Sequence, residues 1–264
     1  MKRRDFLAST AALLLATPLL AAEAGKGSLT VGAAINKAGR QRMLSQRMAK
    51  AFAMQAAGVM PDKAGSLFDQ SRRLFEAQLA ELKTLAPTEA IQAALADLDK
   101  AWLGYREVLG KPRTPENARL VLAESEKTLR AAHVLTGLYE KQAASSAGHL
   151  VNLSGRQRML SQRMAKCFLF EQSGVAADSL KVELEAARRD FVAALAELNA
   201  APQNNAEIRT ELGLANTQWM FFEQALNGQE RNREIAARNV ATTSERILEV
   251  MDSLTGQYEK LVRG

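Results

Sequence analysis

One stretch of sixteen residues occurs twice. Residues 35–50, INKAGRQRMLSQRMAK, return at 151–166 as VNLSGRQRMLSQRMAK, with 13 of 16 positions identical at an offset of 116. Self-similarity at this period means that one structural unit is used twice, so the fold of the unit decides the fold of the chain. The likeness runs beyond the box. Arg72-Arg73-x-Phe75 recurs as Arg188-Arg189-x-Phe191, and Leu135-Thr136-Gly137-x-Tyr139-Glu140-Lys141 recurs as Leu254-Thr255-Gly256-x-Tyr258-Glu259-Lys260.

Within each copy, apolar residues return every three or four positions, the spacing that stripes one face of a helix. Ile91, Leu95, Leu98, Trp102, Tyr105 and Leu109 show it in the third segment, and Ile208, Leu212, Ala215, Trp219, Phe222 and Leu226 repeat the steps. Phe68, Phe75, Leu79 and Leu82 stripe the second segment, and Leu129, Ala132, Thr136 and Tyr139 the fourth, each with its counterpart. Helix-ending residues separate the segments at 58–62, 87–88 and 110–115, then at 174–178, 201–203 and 227–228. Such short connections force antiparallel neighbours. The expected fold is all-α, two tandem up-down four-helix bundles, with a first module over 25–146 and a second over 147–264. Residues 143–148 join them without a proline, and two arrangements stay open: a turn laying the bundles side by side, or a continuous helix stacking them end to end.

The first 24 residues read as an export signal. Lys2, Arg3 and Arg4 precede an apolar run from Phe6 to Ala22, and Ala22-Glu23-Ala24 fits a small-residue cleavage site. Arg3-Arg4-Asp5-Phe6-Leu7 fits the twin-arginine type. No later stretch reaches the 18 apolar residues of a membrane span, so the expected location is the periplasm. The formal net charge of +6 favours acidic partners, while export argues against nucleic acid.

The two boxes concentrate positive charge. Lys37, Arg40, Arg42, Arg47 and Lys50 occupy the first, and Arg156, Arg158, Arg163 and Lys166 the second, with no carboxylate in either. Surface helices usually intersperse acids three or four residues from bases, so negative charge is expected from elsewhere. At 100° per residue Arg42 shares a narrow, small-residue face with Ile35, Gly39, Gln46, Ala49 and Ala53. Leu44, Met48, Ala51 and Phe52 lie opposite and form the core stripe. Two arginines facing each other about 7 Å apart repel by roughly 2 kcal/mol at an effective dielectric near 20, and an anion between them reverses that sign. The guanidinium fork suits carboxylate, phosphate or nitrate oxygens. The alternative is that these arginines are solvated, or pair with acids on other helices such as Glu140 and Glu259.

The pattern Ile35-Asn36-x-Ala38-Gly39-x-x-Arg42-Met43-x-Ser45-x-Arg47, repeated as Val151-Asn152-x-Ser154-Gly155-x-x-Arg158-Met159-x-Ser161-x-Arg163, resembles the sensor domain shared by PilJ-type pilus methyl-accepting transducers and NarX-like nitrate/nitrite sensor kinases. The resemblance implies a periplasmic four-helix sensor module that holds a small inorganic anion, nitrate or nitrite first, between the arginines preceding Met. Those are Arg42 and Arg158, and Gly39 and Gly155 would let their helices approach. Asn36, Arg40, Ser45, Arg47, Asn152, Arg156, Ser161 and Arg163 stand as supporting positions. Two boxes in one chain imply an internal pseudo-dimer, with a homodimer as the other arrangement. The wording GRQRMLSQRM lies nearer the pilus branch, and the chain carries no kinase or methyl-accepting segment, so a membrane receptor or sensor is the expected partner. A ligand-free module docking to a chemosensory or pilus-associated complex is the second reading.

Catalysis is not expected. His133 and His149 have Asp252 and Ala33 as repeat counterparts, so neither belongs to a repeated constellation, and both read as plain helix residues. No zinc or thiol spacing, no phosphate loop and no cofactor motif occurs. Cys167, opposite Ala51 in the repeat, reads as a small core residue, and Trp102, Tyr105, Trp219 and Phe222 as core packing.

Overall fold

The computed structural model describes residues 29–175, 178–227 and 230–263, so the segment read above as an export signal lies outside the described residues. Among these residues the chain is all-α, with eight helices and no strand. The first four are α1 (Val31–Ala56), α2 (Pro61–Leu82), α3 (Glu89–Leu109) and α4 (Pro115–Ala143). The second four are α5 (Ser146–Gln172), α6 (Asp178–Ala200), α7 (Ala206–Leu226) and α8 (Arg233–Arg263).

Local chemistry explains the ends. Thr30, Thr88, Thr114, Ser145 and Asn205 cap their helices by accepting a hydrogen bond from a first-turn backbone N–H. Helices α1 and α5 close alike. Gly58 and Gly174 take φ of +67° and +85°, and the following N–H reaches back to Met54 and Phe170 carbonyls at 2.8 and 3.1 Å.

The periodic residues fill a hydrophobic core that runs through both copies. Phe75 stacks on Trp102 and Phe191 on Trp219, each with ring centroids 4.4 Å apart, and Tyr105 and Phe222 meet those tryptophans edge-on. Tyr139 and Tyr258 are fully buried and send their hydroxyls to Leu85 O and Asn204 Oδ1 at 2.5 and 2.7 Å. Cys167 is buried, and burial pushes its thiol up to about 11.

The junction is a turn. Ala144 adopts φ +47°, ψ +36°, a left-handed conformation that ends α4, and Ser145 starts α5 at once. The copies therefore lie side by side. Helix α1 packs on α2 and α4 of its own copy and on α5 and α8 of the other, and α5 does the same with α6, α8, α1 and α4. Most residues of α1 and α5 are buried as a result. Both faces of the box helices are interior, because each serves two bundles at once.

Candidate functional site

Arg42 and Arg158 meet where α1 and α5 pack together. Both side chains are fully buried. The point a Cβ on Gly39 would occupy lies 3.1 Å from Arg42 Nη2 and 3.7 Å from Arg158 Nη2. The equivalent point on Gly155 lies 3.1 Å from Arg158 Nη2 and 3.8 Å from Arg42 Nη2. A Cβ at 39 or 155 would crowd the nearer guanidinium, which would have to give by a few tenths of an ångström. The pairing is reciprocal: Arg42 Nη2 donates to Asn152 Oδ1 (2.7 Å) and O (3.3 Å), and Arg158 Nη2 donates to Asn36 O (3.2 Å). Asn152 Nδ2 donates to Glu140 and Asn36 Nδ2 to Glu259, at 2.5 and 2.6 Å. The Nε atoms of both arginines are buried and unpartnered.

Most of the box charge is neutralised within the protein, largely by the other copy. Lys50 and Arg47 on α1 share Glu245 of α8, and Lys166 and Arg163 on α5 share Glu126 of α4, with Glu183 of α6 also bound to Arg163. Lys37 pairs with Glu81, Arg156 with Asp190, and both Arg40 and Arg158 with Asp252. The expectation that the boxes as a whole await outside negative charge is thereby corrected: acids on other helices supply it. Among the described residues Arg42 is the one box cation without a carboxylate in salt-bridge range. Its Nη1 meets His133 Nδ1 instead, at 3.4 Å.

The electrostatics follow this geometry. Burial, then the charges of Arg158 and Arg156, pushes Arg42 down to about 9. Burial and Arg40 lower Arg158 to about 10, with Asp252 opposing. Burial lowers Lys50 to about 8. Glu245 falls to about 2, because Lys50 and Arg47 outweigh the opposing effect of its burial. Burial, Arg42 and Arg156 also lower His133.

Of the residues expected to support the site, Asn36, Gly39, Asn152 and Gly155 touch the arginine pair, and Arg40 reaches it through Asp252. Ser45 and Ser161 do not. Their hydroxyls donate back to the carbonyls of Arg42 and Arg158. Arg47 and Arg163 belong to the two ion clusters, and Arg156 turns outward to Asp190 at 2.6 Å. The histidines are more than plain helix residues. His133 abuts Arg42, and His149 sits between Glu140 and Glu197 at 2.8 and 2.9 Å. Their mismatch with Asp252 and Ala33 in the repeat was the available signal.

The chain matches the type IV pili methyl-accepting chemotaxis transducer N-terminal domain, PilJ, over residues 26–132 and again over 141–248. It belongs to the PilJ family. The two matched segments fall one on each copy of the internal duplication, and the PilJ domain marks the chain as carrying sensory modules of the chemotaxis and pilus transducer type. No curated protein and no solved structure gives a match. Among the described residues no helix of this PilJ pair is long and apolar enough to cross a membrane, and no cluster of His, Cys, Asp and Glu is arranged to hold a metal ion.

Proposed function

We propose that the chain is an exported, periplasmic binding component of a sensory system. It takes a small inorganic anion, nitrate or nitrite first, between Arg42 and Arg158, and reports occupancy to a membrane partner of the chemosensory or pilus-associated kind. The observation that carries this reading is Arg42, fully buried, 3.4 Å from a histidine and without a carboxylate, beside a second buried guanidinium. Burying a charge without its counter-ion is costly, and a bound oxyanion supplies one. Because the guanidiniums rise from different copies, occupancy draws α1 and α5 together and shifts the balance between two packings.

A four-atom ion has a ceiling near 1.5 kcal/mol per atom, which corresponds to a Kd of some tens of μM, roughly. Calorimetry with nitrate, nitrite, sulfate and chloride tests it. Binding in the wild type that Arg42→Ala abolishes is the expected result. Heats unchanged in that variant remove Arg42 from the site.

A second reading, docking without a ligand, draws support from α7, where Leu214, Met220 and Phe221 stand about half exposed or more (45%, 64% and 50%). Capture of a membrane partner by a chain that binds none of the four anions favours it.

A further inference from the structure

The second copy carries within its own chain what the first lacks. Asp252 on α8 accepts from Arg158 Nη1 of α5, and from Arg40 Nη2 of α1 at 2.6 Å. One carboxylate thus bridges two guanidiniums on neighbouring helices. Pseudo-symmetry carries Asp252, Arg158 and Arg40 onto His133, Arg42 and Arg156. There, Arg42 Nη1 finds only His133 Nδ1, and Arg156 leans out to Asp190 in a pair whose side chains are 40% and 47% exposed. Such exposed pairs exchange partners at little cost. Leu74 stands at the position equivalent to Asp190, so Arg40 has no such outward partner.

The same seam differs at a second position. Arg130 occupies the place that Glu249 holds in the other copy. The groove between α4 and α5 is therefore lined by Arg130, Arg156 and Arg163 against Glu126. The equivalent residues between α1 and α8 are Glu249, Arg40, Arg47 and Glu245, with Asp252 in place of His133. Basic groups outnumber acidic ones along the lining of one seam, with Asp190 and Glu183 standing behind Arg156 and Arg163, whereas the other seam is neutralised by residues of its own lining. The more basic one holds a groove of about 570 Å³ in which Leu129, Val134 and Met159 lie beside the charges. That volume suits a small organic molecule rather than a four-atom ion.

We infer that the α4–α5 groove binds a small organic carboxylate, a monoanion with a short apolar tail. Its head takes the place between Arg42 Nη1 and Arg156 that the Asp252 carboxylate takes between Arg158 and Arg40. The tail lies over Leu129, Val134 and Met159, and the His133 side chain, which lines the groove in front of the fully buried Arg42, yields the position. This rests on the reading of Arg42 as an anion contact, but it depends on Arg156 and His133 and not on Arg158.

Calorimetry and thermal melting of the whole chain with sodium butyrate and with sodium nitrate test it, in the wild type, His133→Asp and Arg156→Ala. Butyrate is expected to bind the wild type. His133→Asp should melt higher without any ligand and lose butyrate affinity roughly tenfold or more, because the chain now supplies the carboxylate itself. Arg156→Ala, an exposed change that leaves the core intact, should lose butyrate equally while nitrate changes by no more than about twofold. Butyrate affinity that persists in either variant overturns the proposal, as does a lower melting point for His133→Asp or a folded wild type that binds no butyrate. Nitrate binding without butyrate binding overturns the groove and leaves the arginine-pair reading standing. Butyrate without nitrate does the reverse.

Discussion

The seam between α8 and α1 and the seam between α4 and α5 are built from equivalent positions, yet one is closed by its own carboxylates and the other is not. In the first, Glu245 and Asp252 each gather two cations of the α1–α5 pair. In the second, Glu126 does what Glu245 does, but His133 stands in for Asp252 and leaves Arg42 unpaired. A duplicated fold can keep its packing while its copies part in charge, because packing depends on volume and burial at each position whereas counter-ions come from single residues far away in sequence.

The ion clusters give the largest test of that difference. Arg47 and the fully buried Lys50 share Glu245, whereas Arg163 and Lys166 have Glu183 at 3.1 and 3.9 Å besides Glu126. Glu245→Ala should cost about 3–5 kcal/mol of stability in urea unfolding, because it strands a buried cation. Glu126→Ala should cost about 1–3 kcal/mol, and equal losses would erase the distinction. The acid limb carries the same signature. With its carboxyl held at about 2 against an ordinary 4.5, Glu245 contributes stability that is complete above the higher value and is lost as pH falls through the lower one. Glu245→Gln should flatten stability across that interval, a change of about 3 kcal/mol.

The seams also differ in connection. The chain passes directly from α4 to α5 through Ala144, which holds φ +47°, and no such link joins α8 to α1. Glycine adopts that conformation without a Cβ clash, so Ala144→Gly should stabilise the protein by about 0.5–1 kcal/mol, read as a rise in Tm. A fall would mean that the turn is held by something other than its own backbone.

His149 provides the smallest effect. Its hydrogen bonds to Glu197 and Glu140 raise it above the ordinary 6.5, and Ala33 is its counterpart. Stability from these two contacts is complete below 6.5 and is lost as pH rises through the raised value. His149→Ala should remove that mild alkaline decline, and a melting profile that keeps it would assign the decline to another group.

Much of the architecture could be read from the residues. The stripe Ile91, Leu95, Leu98, Trp102, Tyr105 and Leu109 is buried along its length, and the breaks at 58–62, 87–88 and 110–115 separate helices, because helical periodicity and capping act over a few neighbours. The site was legible only in part. Arg42 and Arg158 were singled out by the family pattern, but Ser45 and Ser161 turned back on their own helix, and the acids that neutralise the boxes went unnamed. Glu245 lies 195 residues from Lys50 and Asp252 lies 212 from Arg40, and no local pattern announces pairs at such separations. The mismatch of His133 with Asp252 counted against a catalytic constellation, and it also marks the place where the two copies part.

By itself, the order of residues determined that this chain is a doubled set of amphipathic helices with two basic segments, since burial of a periodic apolar face leaves little choice of secondary structure. Tertiary structure alone decided that the turn at Ala144 lays the copies side by side, that the fourth helix of each supplies carboxylates to the other's box, and that Arg42 receives none. The reason is physical: charge in a low-dielectric interior is governed by which groups lie within a few ångströms, and for this chain those neighbours are set by the packing of α1 on α5.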